Sequence, residues 1–454
     1  MMTGDLFGGA VLSAIFLGLV AVAEVWKRFG DADPEHSRKL VHLGGGIACL
    51  LFPFLVRSPW VVLVMAGAMT ALFAFGGRWG FLQSLHGIDR PSRGAEFYPL
   101  AVFLVFLMAR DQPAFYLSAI LVLAIGDAFA ALVGGHYGRI RYEVEDEQKS
   151  LEGSLVFLVI AFLAIHLPLL LMTELDRAIC VLAALLVAVL VTFFEAISLE
   201  GADNLYVPLA VVVILGKITT KPLSEVIYQN LSLAVICGAV ALIVWRMRSF
   251  NVGGTLTFIL FAYGTWSLGS WQWALPVFAG FLAFVAGWFV SRPDRQRELR
   301  VRTIARALLL PFLVLALANG TRVYPPLFGP YVAALGTVLA LALPTGLLGY
   351  HQLRGLRWLG ALGAVGVCGW LGTALVPWLL QQPTGTTSLA GASALTGAGA
   401  VVLALTLLNG ALDRRHAEAA LSREWTARRF LITLAAPVLV WLLQDLGWVA
   451  LWNP

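Results

Sequence analysis

Apolar segments separated by short polar ones make up almost the whole of this chain. Apolar runs of roughly 15 to 24 residues recur from one end to the other, and each is about long enough to cross a bilayer as a helix. The two-residue alternation that marks transmembrane β-strands is missing from the sequence. The pattern therefore predicts an all-α, polytopic integral membrane protein.

We predict about sixteen transmembrane helices in two sets. The first set lies at about residues 8–27, 40–57, 59–76, 96–109, 113–135, 153–172, 178–196, 204–218 and 230–246. The second set lies at about residues 254–269, 271–290, 303–319, 327–350, 356–380, 391–411 and 429–449. A basic segment containing glycine, WRMRSFNVGG, separates the two sets. It predicts two membrane domains, at residues 1–248 and 249–454.

Positive charge predicts the orientation, because cytoplasmic loops of membrane proteins collect Lys and Arg. With the N-terminus outside, only six of the 31 Lys and Arg residues fall on the outer side: Arg57, Arg110, Arg177, Lys217, Lys221 and Arg322. Every polar cluster of the first half then lies at the cytoplasmic face. The net charge of +5 reflects this bias, so we predict the lipid bilayer as a partner and no nucleic acid.

Composition refines this picture. Hydrophobic residues make up 59% of the chain and charged residues 13%, which excludes a soluble core. All four cysteines lie inside apolar runs without metal-ligand spacing, so we expect them to be packing residues. The first apolar segment has no basic region before it, and we expect it to stay attached as a span. Arg far outnumbers Lys, which favours a bacterial plasma membrane.

The first polar motif is DADPEHSRKLVHLGGG, at residues 31–46. On a helix, Glu35, Arg38, Lys39 and His42 share one face through their three- and four-residue spacing. A charged group at the middle of a bilayer costs about 2.5–3.5 kcal/mol, so these residues are expected at the interface or in a polar cavity. Arg38 and Lys39 could serve only as a membrane anchor, but His42, one turn deeper, favours a functional site.

The second motif spans residues 126–153. Four small residues recur at every fourth position, which gives a helix one smooth face: Gly126, Ala130, Gly134 and Gly138. A polar loop containing Arg139 and Lys149 follows, and then Ser150, Glu152 and Gly153 at the start of the next span. One interpretation is helix packing beside a solvated loop. The other is a site in which Asp127 holds a divalent cation, while cations and glycine N–H groups hold phosphates.

The third motif is FFEAISLEGADNLYVP, at residues 193–208. Glu195 closes one span, Asp203 and Asn204 open the next, and Pro208 lies just inside it. Carboxylates and an amide between two spans suit Mg²⁺ binding or a proton acceptor for an alcohol. Alternatively, Asp203 and Asn204 are helix caps.

Together the three motifs predict phosphoryl transfer at the cytoplasmic face. They supply acids, bases and phosphate-binding cations, although the chain has neither a Walker GxxxxGK[ST] loop nor a protein-kinase signature. Because phosphoryl transfer needs mainly positioning and charge neutralisation, a metal held by carboxylates, with Arg and Lys on the phosphates, would suffice.

Residues 20–220 resemble the CTP-dependent polyprenol kinase family, which includes phytol kinase, dolichol kinase and the CTP-using diacylglycerol kinase of fungi. The resemblance rests on three motifs in the same order: E-x-x-R-K-x-x-H, G-D-x-x-A followed by K-S-x-E-G, and E followed by D-N-x-x-x-P. It implies CTP as the phosphate donor, Mg²⁺ as cofactor, an isoprenoid alcohol such as phytol, geranylgeraniol or a polyprenol as acceptor, and CDP as a product.

This resemblance also suggests roles for individual residues. Asp127, Glu152 and Asn204 are the predicted metal ligands. Asp127, Glu195, Asp203 and His42 are the predicted catalytic residues. The predicted nucleotide-binding residues are Arg38, Lys39, Gly134, Gly138, Arg139, Lys149, Ser150 and Gly153.

The second half loosely resembles the phytyl-phosphate kinase family, in LALANG (Leu315 to Gly320) and PTGTTSLAGASALTGAGA (Pro383 to Ala400). That family has an acidic motif between these two pieces, whereas this chain has no Asp or Glu from Thr321 to Leu412. We interpret the second half as a degenerate partner domain that is structural or handles substrate.

Two further interpretations remain open. One is a different lipid reaction, either a diacylglycerol kinase or a cytidylyltransferase. The other is a transporter for a lipid or small molecule, since many spans with buried charges also describe transporters. Transporters carry charged residues near mid-span, however, and here they lie at span ends on one side.

Overall fold

The computed structural model describes residues 2–29, 34–79, 93–145, 147–247, 250–291, 299–342, 363–374, 389–415 and 427–449. They are almost entirely helical, in agreement with an all-α membrane protein. The chain divides into two compact units, Met1–Leu233 and Ala234–Pro454. This division falls inside a helix, whereas the sequence analysis places the domain boundary after residue 248. The predicted domain bounds stay a prediction.

The described part of unit 1 is a bundle of helices with a β-hairpin between two of them. Its elements are α1 (Met2–Phe29), α2 (Pro34–Cys49), α3 (Phe52–Leu55), α4 (Pro59–Trp79), α5 (Gly94–Ala109), α6 (Pro113–Leu121), a π-helical turn (Val122–Gly126), α7 (Asp127–Tyr137), β1 (Arg141–Val144), β2 (Glu147–Ser150), α8 (Leu151–Met172), α9 (Arg177–Ile197), α10 (Asp203–Ile218) and the start of α11 (Leu223–Met247).

The polar loop of the second motif is more ordered than the sequence predicts. Strands β1 and β2 pair in antiparallel fashion, with Tyr142 opposite Lys149. Ser150 then caps α8, because its Oγ accepts a hydrogen bond from the Gly153 N–H at 3.2 Å. The hairpin therefore fixes where Lys149 lies relative to the helices.

The small-residue stripe packs α7 closely against α8. A Cβ on Gly134 would lie 2.8 Å from Ser150 Oγ, and one on Gly138 would lie 2.7 Å from Ser150 Cβ. A Cβ on Gly153 would lie 2.9 Å from the Ala130 carbonyl oxygen. A side chain at any of these positions would therefore require a neighbouring atom to shift, which supports the helix-packing interpretation of the stripe.

Unit 2 contains the remainder of α11 and the helices that follow it. These are α12 (Val252–Ser291), α13 (Val301–Thr321), α14 (Pro325–Ala342), α15 (Gly363–Ala374), α16 (Leu389–Arg415) and α17 (Ala427–Asp445). Helix α12 is broken at Ser270, which has φ 69° and ψ −178°. The break falls where the sequence predicts one span to end and the next to begin. Parts of the predicted spans at 327–350 and 356–380 lie outside the described residues.

Within the described residues, eight helices are long and apolar enough to cross a membrane. They are Gly4–Lys27, Pro113–Tyr137, Leu151–Met172, Arg177–Ile197, Leu223–Met247, Val252–Ala286, Val301–Thr321 and Ala427–Asp445. Shorter apolar helices, such as Gly94–Ala109, accompany them. A multi-pass membrane protein is therefore supported, while the count of about sixteen spans and the outside position of the N-terminus stay predictions.

Candidate active site

The first and second motifs meet where α2 passes the π-helical turn. The Nε2 atom of His42 lies 3.5 Å from Asp127 Oδ2 and 3.0 Å from the carbonyl oxygen of Leu123. Because a carbonyl oxygen can only accept, the contact with Leu123 requires a proton on Nε2. The π-helical turn that contains Leu123 comes immediately before Asp127, and such turns occur frequently at functional sites.

The second and third motifs meet through a buried ion pair. Lys149 Nζ lies 2.8 Å from Glu195 Oε1, and it also donates to the carbonyl oxygen of Glu195. The two side chains are only 16% and 12% exposed. Burial alone would lower the pKa of Lys149, but the negative charges of Glu195 and Asp203 outweigh it and raise that pKa above its usual range. Lys149 therefore stays positively charged.

Asp203 completes this arrangement at the start of α10. Its Oδ1 accepts a hydrogen bond from the Asn204 N–H at 3.1 Å. Burial, with a further contribution from the charge of Asp127, raises the pKa of Asp203 to about 7, although Lys149 opposes the shift. His42, Asp127, Lys149, Glu195 and Asp203 thus form one group, which we call the polar cluster. The structure brings all three motifs together.

Several buried oxygens beside the polar cluster have no hydrogen-bond partner among the described residues. They are Glu195 Oε2, Asn204 Oδ1 and Ser198 Oγ. Buried polar atoms in proteins are nearly always paired, so these oxygens are open to an ordered water or to a ligand. Sequence reasoning missed Ser198, since a single serine in a loop gives no signal of this kind.

The donors present suit a Mg²⁺ ion that is only partly held by protein. Nowhere in the described part of the chain do three His, Cys, Asp or Glu side chains gather as a metal site. Mg²⁺ usually takes one or two carboxylates together with waters and substrate phosphates. Asp127, with the unpaired oxygen of Asn204, fits that pattern.

Glu152, the third predicted metal ligand, has another contact. Its carboxylate accepts hydrogen bonds from the backbone N–H groups of Arg139 at 3.0 Å and Ile140 at 3.1 Å. These bonds tie the base of the hairpin to α8. The metal role of Glu152 stays a prediction.

The predicted nucleotide-binding residues do not all lie in the polar cluster. Lys149 lies in the polar cluster, and Arg139 is exposed at the base of the hairpin. Lys39 is partly buried on α2, while the side chain of Arg38 lies outside the described part of the structure. The remaining four, which line the close contact between α7 and α8, are Gly134, Gly138, Ser150 and Gly153. Their role in binding nucleotide stays a prediction.

An apolar cavity adjoins the polar cluster and is lined by residues of α1 to α5 and by Asn204 of α10. The polar side chains that line it are His42, Tyr98 and Asn204. The Tyr98 ring lies edge-on to His42 with the ring centres 4.8 Å apart, and its hydroxyl donates to the His42 carbonyl oxygen at 3.4 Å. Sequence reasoning missed Tyr98, because an aromatic residue near the end of a span resembles an interface anchor.

Comparison with known proteins identifies a relative of the N-terminal part. The chain is 36% identical over 206 residues to the phytol kinase of the bacterium Synechocystis sp., and the match covers 44% of this chain and 86% of that protein. The chain belongs to the phytol kinase family. This relationship supports the resemblance on which the three motifs were interpreted.

The relationship to the phytol kinase family does not extend to the whole chain. No family model matches it, and no solved structure resembles it significantly. The predicted resemblance of the second half to phytyl-phosphate kinases is not shown and stays a prediction. The residues of the polar cluster all lie in unit 1.

Proposed function

We propose that this protein is a membrane kinase that transfers the γ-phosphate of CTP to an isoprenoid alcohol at the cytoplasmic face. The observation that supports this most strongly is the convergence of His42, Asp127, Lys149, Glu195 and Asp203 beside an apolar cavity. A phosphoryl group needs charged residues around it, and an isoprenoid tail needs apolar surface. Unit 1 offers both side by side.

In the proposed reaction, the alcohol oxygen attacks the γ-phosphorus, and the bond from that phosphorus to the β–γ bridging oxygen breaks. Lys149 stays protonated next to Glu195 and stabilises the negative charge on the phosphates. Asp203 precedes Asn204, which lines the cavity, and we assign its carboxylate as the acceptor of the alcohol proton. CDP and the isoprenyl monophosphate are the products.

His42 and Asp127 act as a pair in this proposal. The Nε2–H group of His42 donates to the Leu123 carbonyl oxygen, and the same nitrogen lies 3.5 Å from Asp127 Oδ2, so the imidazole lies directly beside the carboxylate. Mg²⁺, when bound through Asp127 and Asn204, would neutralise further charge on the phosphates. The positive-inside distribution of Lys and Arg supports the cytoplasmic face, where nucleotides are found.

The test is phosphate transfer by the purified, detergent-solubilised protein with Mg²⁺. γ-Labelled CTP is supplied, with γ-labelled ATP in parallel, to a panel of phytol, geranylgeraniol, a polyprenol and diacylglycerol. We expect label from CTP in an isoprenyl monophosphate. Label in phosphatidic acid alone would indicate a diacylglycerol kinase, and a CMP-containing lipid identified by mass would indicate a cytidylyltransferase. Absence of label in every product from folded protein would contradict a kinase and favour a transporter.

A further inference from the structure

The apolar cavity of unit 1 has a polar end and an apolar end. Its polar side chains are His42, Tyr98 and Asn204, and they lie beside the polar cluster. The other lining residues are almost all hydrophobic, and those used below are Phe16, Gly45, Cys49 and Phe52. A molecule that fits this shape has a polar head beside the cluster and a hydrocarbon chain directed away from it.

Aromatic rings close the apolar end. Phe52 is 3% exposed, and its ring centre lies 6.1 Å from that of Phe16. Behind Phe52, Phe106 packs at 6.4 Å and Tyr116 packs on Phe106 at 6.1 Å. The hydroxyl of the fully buried Tyr116 donates to the Cys49 carbonyl oxygen at 2.8 Å. This hydrogen bond holds Tyr116, and with it the packed rings of Phe106 and Phe52, to the end of α2. Phe52 therefore forms a rigid wall at the apolar end of the cavity.

The geometry of α2 gives the depth of the cavity. His42, Gly45 and Cys49 line it along one face of the helix, from the polar end to the apolar end. A rise of 1.5 Å per residue places Cys49 about 10 Å from His42 along the helix axis. Phe52 follows at the end of α2 that is remote from His42. A hydrocarbon chain that enters at His42 therefore meets Phe52 after about 10 Å.

We infer that this cavity binds the hydroxyl end and first part of the isoprenoid tail, and that Phe52, backed by Phe16, determines which tail lengths are used best. The inference rests on the proposed function and goes beyond it by assigning the acceptor subsite and its length-determining wall. A short tail fits inside the cavity, whereas a longer one has to turn away from Phe52.

Gly45 tests whether the tail occupies the cavity. A Cβ on Gly45 would lie 3.5 Å from Phe16 Cε1, so Gly45→Ala adds a methyl group to the cavity without a clash. The matched control is Gly18→Ala on α1, where a Cβ meets no atom within 4 Å and the residue does not line the cavity. We expect Gly45→Ala to raise the KM for the alcohol about tenfold, with the KM for CTP unchanged, and Gly18→Ala to change neither.

Phe52 tests the length of the tail. The ratio of kcat/KM for geranylgeraniol over geraniol is measured in the wild type, Phe52→Leu and Phe52→Ala. Removal of the ring deepens the cavity, so we expect the ratio to rise about tenfold in Phe52→Ala and less in Phe52→Leu. Phe115→Leu is the control, since Phe115 is buried in unit 1 but does not line the cavity. If Phe52→Ala does not fold, Phe52→Leu and Gly45→Ala still decide the question.

The two proposals fail in different ways. An unchanged alcohol KM in Gly45→Ala, with an unchanged length ratio in folded and active Phe52 variants, would overturn the inference while the kinase stands. Absence of phosphate transfer by the wild type to phytol, geraniol, geranylgeraniol and a polyprenol alike would instead overturn the proposed function, and the inference with it.

Discussion

The two units differ in how they satisfy their polar groups. In unit 1, charged side chains that are far apart in the sequence pair across elements, as Lys149 of β2 does with Glu195 of α9. In the described part of unit 2, most buried polar residues are threonines that bond within their own helix. Each donates to the carbonyl oxygen four residues earlier, as seen for Thr257, Thr265, Thr337, Thr406 and Thr433.

This difference bears on which unit contains a functional site and which unit supports it. A threonine hydroxyl that donates to a carbonyl oxygen of its own helix needs no partner from another element. Such a threonine therefore gives no indication of a functional site. A buried charge is costly in a membrane protein unless other elements supply its partner, and such residues usually mark functional sites. Unit 1 has this second kind of arrangement, in which buried carboxylates take part; the described part of unit 2 also buries a charge, that of Arg429 in α17. Unit 2 has no Asp or Glu from Thr321 to Leu412, which fits a supporting role.

Among the substitutions that test this comparison, Asp127→Asn is expected to have the largest effect on activity. The change keeps the size of the side chain but removes the charge that faces His42 and, as proposed, Mg²⁺. We expect kcat for phosphate transfer to fall on the order of 10²–10³-fold, with little change in the melting temperature. Asp111→Asn is the control, because the Asp111 side chain is 89% exposed and pairs only with its neighbour Arg110 in the described structure. Full activity of folded Asp127→Asn would contradict the assignment.

Lys149→Met gives the next largest effect, and it acts on stability as well as activity. It leaves Glu195 buried without its cationic partner, which costs about 3–5 kcal/mol of the free energy of unfolding. The double variant Lys149→Met with Glu195→Gln removes both charges, so we expect it to recover most of the melting temperature but none of the activity. Lys221→Met, at an exposed turn, is the control. Recovery of activity in the double variant would show that Lys149 has only a structural role.

Much of this arrangement was predictable from the sequence, because its signals are local. The bounds of α9 and α10 follow from apolar length, and the break at Ser270 lies where two predicted spans meet. The three motifs predict that their residues share one membrane face. What they could not predict is which atoms pair across the bundle, since that depends on tertiary packing.

The residues that sequence reasoning missed or interpreted incompletely share one property. Tyr98 and Ser198 matter through their neighbours, His42 and the polar cluster, rather than through a motif. Glu152 belongs to a motif, but its hydrogen bonds go to backbone N–H groups of the hairpin, and the hairpin itself was expected to be a loop. Contacts of this kind become visible only in three dimensions.

The pH dependence of stability tests the buried carboxylate of Asp203. Its pKa is raised from an ordinary value of 3.8 to about 7, so folding favours the protonated form. The resulting stabilisation is fully present below about pH 4 and is lost as the pH rises through about 7. We expect the melting temperature, measured without nucleotide or Mg²⁺, to fall between pH 5 and pH 8, and Asp203→Asn to make that fall smaller. Asp111→Asn should keep the wild-type slope. An identical slope in Asp203→Asn would show that other groups dominate the titration.

The smallest effect is expected for a substitution in unit 2, which tests whether this unit contributes only to stability or also to the reaction. Asn319 lies in the LALANG segment, and its Nδ2 donates to the Leu268 carbonyl oxygen at 2.7 Å and to the Tyr324 hydroxyl at 3.1 Å. These bonds join α13 to the end of the first part of α12, just before the break at Ser270. Asn319→Ala removes both, so we expect a loss of about 1–3 kcal/mol in the free energy of unfolding, while kcat and the KM values for formation of the isoprenyl monophosphate stay unchanged.

Thr321→Val is the control for this variant, since the hydroxyl of the exposed Thr321 bonds only within its own helix in the described structure. A folded Asn319→Ala protein that loses phosphate transfer would overturn the distinction between the two units. In that case unit 2 would take part in the reaction even though its helices bury no paired carboxylates among the described residues. If only stability changes, unit 2 serves as a scaffold and the chemistry belongs to the polar cluster of unit 1.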